Sequence, residues 1–81
     1  MTAPQPSRLQ LWTLRSLCSY AALPCTAADL AAEQNHPAFR TEEYLAKLHA
    51  GRWVSKVELV GGALWQPTAK GLRAASAEVQ P

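Results

Sequence analysis

Arg40, Glu43, Lys47, Arg52 and Lys56 are the residues whose types and clustering point most directly to a chemistry. Guanidinium and ammonium groups neutralise phosphate, and a glutamate can accept a hydrogen bond from the cytosine amino group. Together they make a set fit to hold double-stranded nucleic acid. The plainer reading of the cations, with Lys70 and Arg73 among them, is a solvated surface. A phosphate-binding patch needs several of them to converge in space. Glu42 and Glu43 read equally simply as acids in the first turn of a helix, where they oppose the positive end of its dipole.

Other chemistries find no footing. Cys18, Cys25, His36 and His49 do not fall into a zinc spacing. Two cysteines make no disulfide framework and read as reduced, partly buried thiols. No Ser-His-Asp or Cys-His arrangement, Gly-rich phosphate loop or paired acids stands out. The expectation is therefore a protein that is not an enzyme and needs no cofactor or metal. Trp12, Trp53 and Trp65 read as core residues rather than stacking platforms for bases.

The chain that must position these residues has 81 of them, 48% hydrophobic and 17% charged, with a net charge of +2. That is one small domain, too apolar for a disordered chain. Its weak positive balance permits nucleic-acid binding without arguing for it alone. No apolar run reaches the roughly 20 residues of a membrane helix. Leu9, Leu11, Trp12, Leu14 and Leu17 resemble an export signal until Arg15 interrupts them, so this segment reads as a helix and the protein as cytoplasmic. Many Ala and Leu, no Ile, and Arg in excess of Lys fit a GC-rich bacterial or phage gene.

Residues 1–7 read as a flexible arm, with Ser7 able to cap the first helix. Helix one is expected from Arg8 to Ala22, with Leu11, Leu14, Leu17, Cys18 and Ala21 as its apolar stripe. Pro24 ends it. Thr26 and Asp29 form a capping box for helix two, which closes near Gln34 before the turn at Asn35-His36-Pro37. Helix three is expected to start with Thr41 as its N-cap and to stop at Gly51. Beyond it the period becomes alternating, with Trp53, Ser55, Val57 and Leu59 on one side and Val54, Lys56, Glu58 and Val60 on the other. Gly61-Gly62 signals a hairpin. A two-residue loop places Leu64 opposite Leu59, and a three-residue loop places Trp65 there. The second is preferred because it sets Trp65 and Pro67 on the core side with Val57. Thr68 caps a final helix to about Ala77, with Leu72 and Ala75 inward. The expected core is Leu14, Leu17, Leu30, Tyr44, Leu45, Leu48, Trp53, Val57, Leu59, Trp65 and Leu72.

The order helix, helix, helix, hairpin, helix resembles a winged helix-turn-helix domain. Thr26-Ala-Ala-Asp-Leu-Ala-Ala corresponds to the first helix of the motif, and Tyr44-Leu-Ala-Lys-Leu-His-Ala-Gly-Arg-Trp-Val to the recognition helix running into the wing. Trp65-Gln-Pro-Thr-Ala-Lys-Gly-Leu-Arg is similar to the aromatic-x-Leu-Thr-x-x-Gly stretch that closes the wing in MarR- and PadR-like regulators. The resemblance spans roughly residues 9 to 75. It implies a mainly α fold with a β-hairpin over residues 8–78: three helices, a wing and a short C-terminal helix.

The resemblance further implies a small sequence-specific DNA-binding transcriptional regulator. Helix three would enter the major groove and the wing would lie near the minor groove or backbone. Arg40, Lys47, Arg52 and Lys56 would contact phosphate or base, and Glu43 would read a base. A homodimer would match a palindromic site, with Leu72 and Ala75 of the last helix and Leu9 and Trp12 of the first as its interface. The sequence departs from the pattern in two places. Glu42 and Glu43 stand where Ser, Thr, Arg or Gln is usual, and the wing tip, Val60-Gly61-Gly62-Ala63, has no cation. It is also shorter than most MarR-like regulators and lacks their long dimerisation helices. The acidic start of helix three and the uncharged, apolar wing tip point to the alternative, a winged-helix module that binds protein, such as a small phage-encoded inhibitor of a host complex.

Overall fold

The computed structural model describes residues 6–77. The elements run α1 (Arg8–Ser19), α2 (Ala27–Gln34), α3 (Ala38–Ala50), β1 (Val54–Leu59), β2 (Gly62–Pro67) and α4 (Ala69–Ala77). This is the expected architecture, three helices, a hairpin wing and a short closing helix. Most of the expected arm and the expected domain end at residue 78 lie outside the described residues.

Local signals account for most boundaries. Ser7 and Gln10 form a reciprocal capping box at the start of α1, and Thr26 and Asp29 form another at α2. Asn35 ends α2 in the left-handed conformation, φ 54. The hydroxyl of Thr68 accepts from the Gly71 amide at the start of α4 and donates to the Arg52 carbonyl, which pins α4 to the end of α3.

Two helix ends differ from expectation. α1 stops at Ser19, three residues before Ala22, because Tyr20 is already extended and the chain turns toward the sheet. There Cys25 exchanges backbone hydrogen bonds with Trp65, at 3.0 and 2.7 Å, as a one-residue third strand. α3 starts at Ala38, with Pro37 as its N-cap residue, since the fixed φ of proline suits a helix entrance. Thr41 is therefore not a cap. It lies inside α3, fully buried, and its hydroxyl donates to Gln34 Oε1 at 3.2 Å. Gln34 Nε2 in turn donates to the buried Thr13 Oγ1 at 3.3 Å, so one polar chain joins α1, α2 and α3.

The hairpin differs more. The central residues of its turn are Val60 and Gly61, and Leu59 pairs with Gly62, whose φ of +142 favours glycine. Trp65 pairs with Lys56 and Leu64 with Val57, so neither expected register holds. Which side faces the helices is also reversed. Trp53 is buried from the loop before the strand, and Arg52, at φ 66, turns the chain so that Val54 follows it inward. Val54 and Trp65 thus belong to the inner face, while Val57 and Leu59 point to solvent at 48% and 54% exposure. Leu72 is exposed as well, and Gly71 and Ala75 take the inward places on α4. Gly71 is required there, because a Cβ would meet the Trp53 carbonyl oxygen.

The core holds Leu14, Leu17, Leu30, Leu45, Leu48, Trp53 and Trp65, as expected, together with Val54, Cys25 and Ala27. Tyr44 is only half-buried, and Trp12 stands partly exposed with its ring edge against His36, centroids 5.2 Å apart.

Candidate nucleic-acid interface

α3 has two unlike faces. Thr41, Leu45 and Leu48 hold it to the other helices, and the opposite arc carries Phe39, Glu43, Ala46, Lys47 and Ala50, all exposed. Spacings of three and four residues put this arc on one side of the helix. The hairpin flanks it. A cleft of about 490 Å³ runs between them, with Glu42 and Ala46 on the α3 side, Lys56, Ala63 and Trp65 on the hairpin side, and the start of α2 at Thr26.

The expected site residues divide into three groups. Arg40 and Glu43 are exposed on α3 and neutralise one another at 3.5 Å. Lys47 stands in the last turn of α3 and Arg52 two residues past its end, where the Gly51 amide donates to the Lys47 carbonyl and the chain turns into the hairpin. Neither is held in an ion pair among the described residues. Lys56 faces α3 across the cleft, but its Nζ is drawn over the Trp65 ring, 5.3 Å from the centroid, and to Glu58 at 3.6 Å. The cations thus frame the exposed arc of α3 without forming one continuous patch.

Sequence reasoning gave one surface cation no structural role and passed over one aromatic. Lys70 belongs to the scaffold: its Nζ donates to the Gly51 carbonyl at 2.8 Å and lies 4.5 Å from the centroid of the Trp53 ring, capping the end of α3. Phe39 escapes a reading in which helix three starts at Thr41. With α3 starting at Ala38, Phe39 sits in its first turn and is 60% exposed. The proline at position 37 is the signal that could have found it.

Nucleophilic and metal chemistry gain no support among the described residues. Burial pushes the Cys18 thiol up, and burial followed by the negative charge of Asp29 pushes Cys25 up, which keeps both protonated and unreactive near neutrality. No group of three or more His, Cys, Asp or Glu side chains is placed to hold a metal ion. No helix among these residues is long and apolar enough to cross a membrane.

No protein-family model matches the sequence, and no curated protein sequence matches it either. The fold, in contrast, is matched closely by solved structures. A variant of ZitR from Lactococcus lactis superposes with a TM-score of 0.74 at 18% identity, covering 96% of this chain and 53% of its own. A variant of MepR from S. aureus, bound to an oligodeoxyribonucleotide, gives 0.76 at 16% identity over 86% and 53%. A variant of MarR from E. coli, in complex with operator DNA, gives 0.72 at 19% identity over 86% and 51%. These are MarR-family winged-helix regulators, and the chain has their winged helix-turn-helix fold. It spans about half the length of each.

Proposed function

We propose that the chain is a small sequence-specific DNA-binding protein, a bacterial or phage transcriptional regulator acting in the cytoplasm, which holds duplex DNA against the exposed arc of α3 and the hairpin. The observation that carries this reading is the backbone of Arg52. It holds φ 66 without being glycine. That conformation costs an L-residue about 1–2 kcal/mol, and such strain collects where a side chain is needed for function. Glycine would fit position 52 without strain; an arginine stands there, exposed at the junction of α3 and the wing. Two neighbours in fold, MepR and MarR, are seen with DNA.

In this reading Lys47 and Arg52 neutralise phosphates beside the groove that α3 enters. Arg40 releases Glu43 to contact the backbone, and the freed carboxylate accepts from a cytosine amino group. Lys56 contributes from the wing. The low net charge makes one copy a weak binder, and a homodimer uses the exposed Leu9 and Trp12 of α1 and Leu72 of α4. The test is a gel-shift titration on duplex DNA at two salt concentrations. A complex that weakens with salt, with the slope falling by about one when Lys47 becomes Ala, is expected. No shift at low salt, with folded protein, overturns the reading.

A second reading has its own observation. Val57, Leu59 and Val60 leave the outer half of the wing apolar, with Val60 wholly exposed at the tip. A protein-binding module would use this surface with Glu42 and Glu43. It predicts no salt-sensitive DNA complex, and loss of partner binding when either acid is changed.

A further inference from the structure

Phe39 is the most exposed Phe, Trp or Tyr side chain among the described residues. Its place on α3 leaves no way to bury it: spacings of four, three and four residues put it in line with Glu43, Ala46 and Ala50, opposite the buried Thr41, Leu45 and Leu48. Its ring is bordered by charge. The Arg40 guanidinium lies 5.3 Å from the ring centroid and is itself tied to Glu43. An apolar ring flanked by an ion pair on an open helix face fits a target of the same mixed character.

The major groove offers one such target. Its base edges carry donors and acceptors, with one apolar exception, the C5 methyl group of a pyrimidine. Residues at the N-terminal end of a recognition helix are the ones that approach base edges. From this we infer that Phe39 reads a pyrimidine C5 methyl group, so that the DNA this chain prefers presents thymine or 5-methylcytosine to the start of α3. Ala46, the other small apolar residue on this arc, lies about two turns further along α3 and would meet a different base step, and Arg40 and Glu43 supply polar contacts beside Phe39. The inference rests on the DNA-binding reading above and names the base chemistry that reading would select.

The experiment separates the two claims. The full chain is used to enrich duplexes from a random library made with thymine and with 5-methylcytosine in place of cytosine. The enriched pool is then recopied with uracil for thymine, or with plain cytosine for 5-methylcytosine. Dissociation constants are measured for the unaltered protein, Phe39→Ala and Phe39→Leu. Loss of the methyl group that Phe39 covers should weaken the unaltered protein about fourfold, the value of burying one methyl group. Phe39→Ala should lose that discrimination and Phe39→Leu should keep part of it. Sensitivity to uracil alone identifies thymine as the source, and sensitivity to plain cytosine alone identifies 5-methylcytosine. Equal binding to all pools, or a loss that Phe39→Ala shares in full, overturns the inference while leaving DNA binding intact. Failure to enrich or bind any duplex at low salt, with folded protein, overturns both.

Discussion

The base of the hairpin is buried and tied to its neighbours; toward the tip only Ala63, on the inner face, still packs against the core. Val54, Trp53 and Trp65 are buried at the base, Cys25 adds a backbone pair to Trp65, and Thr68 and Lys70 tie α4 to the carbonyls of Arg52 and Gly51. Toward the tip, Val57, Leu59 and Val60 face solvent, although they are as apolar as the residues at the base. Hydrophobicity therefore does not decide which residues pack; the turn at Arg52 sets the face, with Val54 inward and Val57 and Leu59 outward, and Val60 lies in the turn beyond the helices. The same split recurs across α3, buried on one face and open on the other.

The largest expected effects lie on the fastened side. Leu48→Ala removes a fully buried side chain from the face of α3 that meets the core and should cost about 2–5 kcal/mol. An unchanged melting temperature would break the packing account. Gly71→Ala forces a Cβ against the Trp53 carbonyl, which cannot move without loosening the hairpin base. About 3 kcal/mol is expected from chemical denaturation, at the upper end of overpacking costs. A neutral result would mean that α4 does not hold the base.

Smaller effects sharpen the contrast. Thr41→Val strands the Gln34 carbonyl oxygen in a part-buried place and should cost about 1–2 kcal/mol. Val60→Lys, at the tip, should change stability by less than about 0.5 kcal/mol. The same variant should strengthen binding to DNA, because a wing beside the backbone gains a cation, whereas a protein-binding tip should lose its partner.

The helices were legible in the sequence because their signals are local: Ser7 and Thr26 with their capping partners, Asn35, Gly51 and Thr68. What was not legible depends on distant partners. The burial of Thr41 needs Gln34 on another helix, which no reading of spacing around position 41 supplies. The parity of β1 needs the positive φ of Arg52, and an arginine gives no sign of it as a glycine would. Alternation counted from Trp53 as the first strand residue sends Val57 and Leu59 inward, against the fold. Of the candidate site, the cations were named by type alone, since charge is visible in sequence. Their pairing, Arg40 with Glu43 and Lys56 with Glu58, and the scaffold role of Lys70 required the fold.

Arg52 joins both halves of the comparison, so the most direct test acts there. Arg52→Gly removes the side chain and relieves the left-handed backbone together. Its melting temperature and its affinity for duplex DNA across a salt series should be measured against the unaltered protein. A melting temperature that holds or rises by up to about 5 °C is expected, with weaker DNA binding and a salt slope smaller by about one. A lower melting temperature with unchanged affinity and slope would contradict this, for Arg52 would then serve the fold and not the DNA.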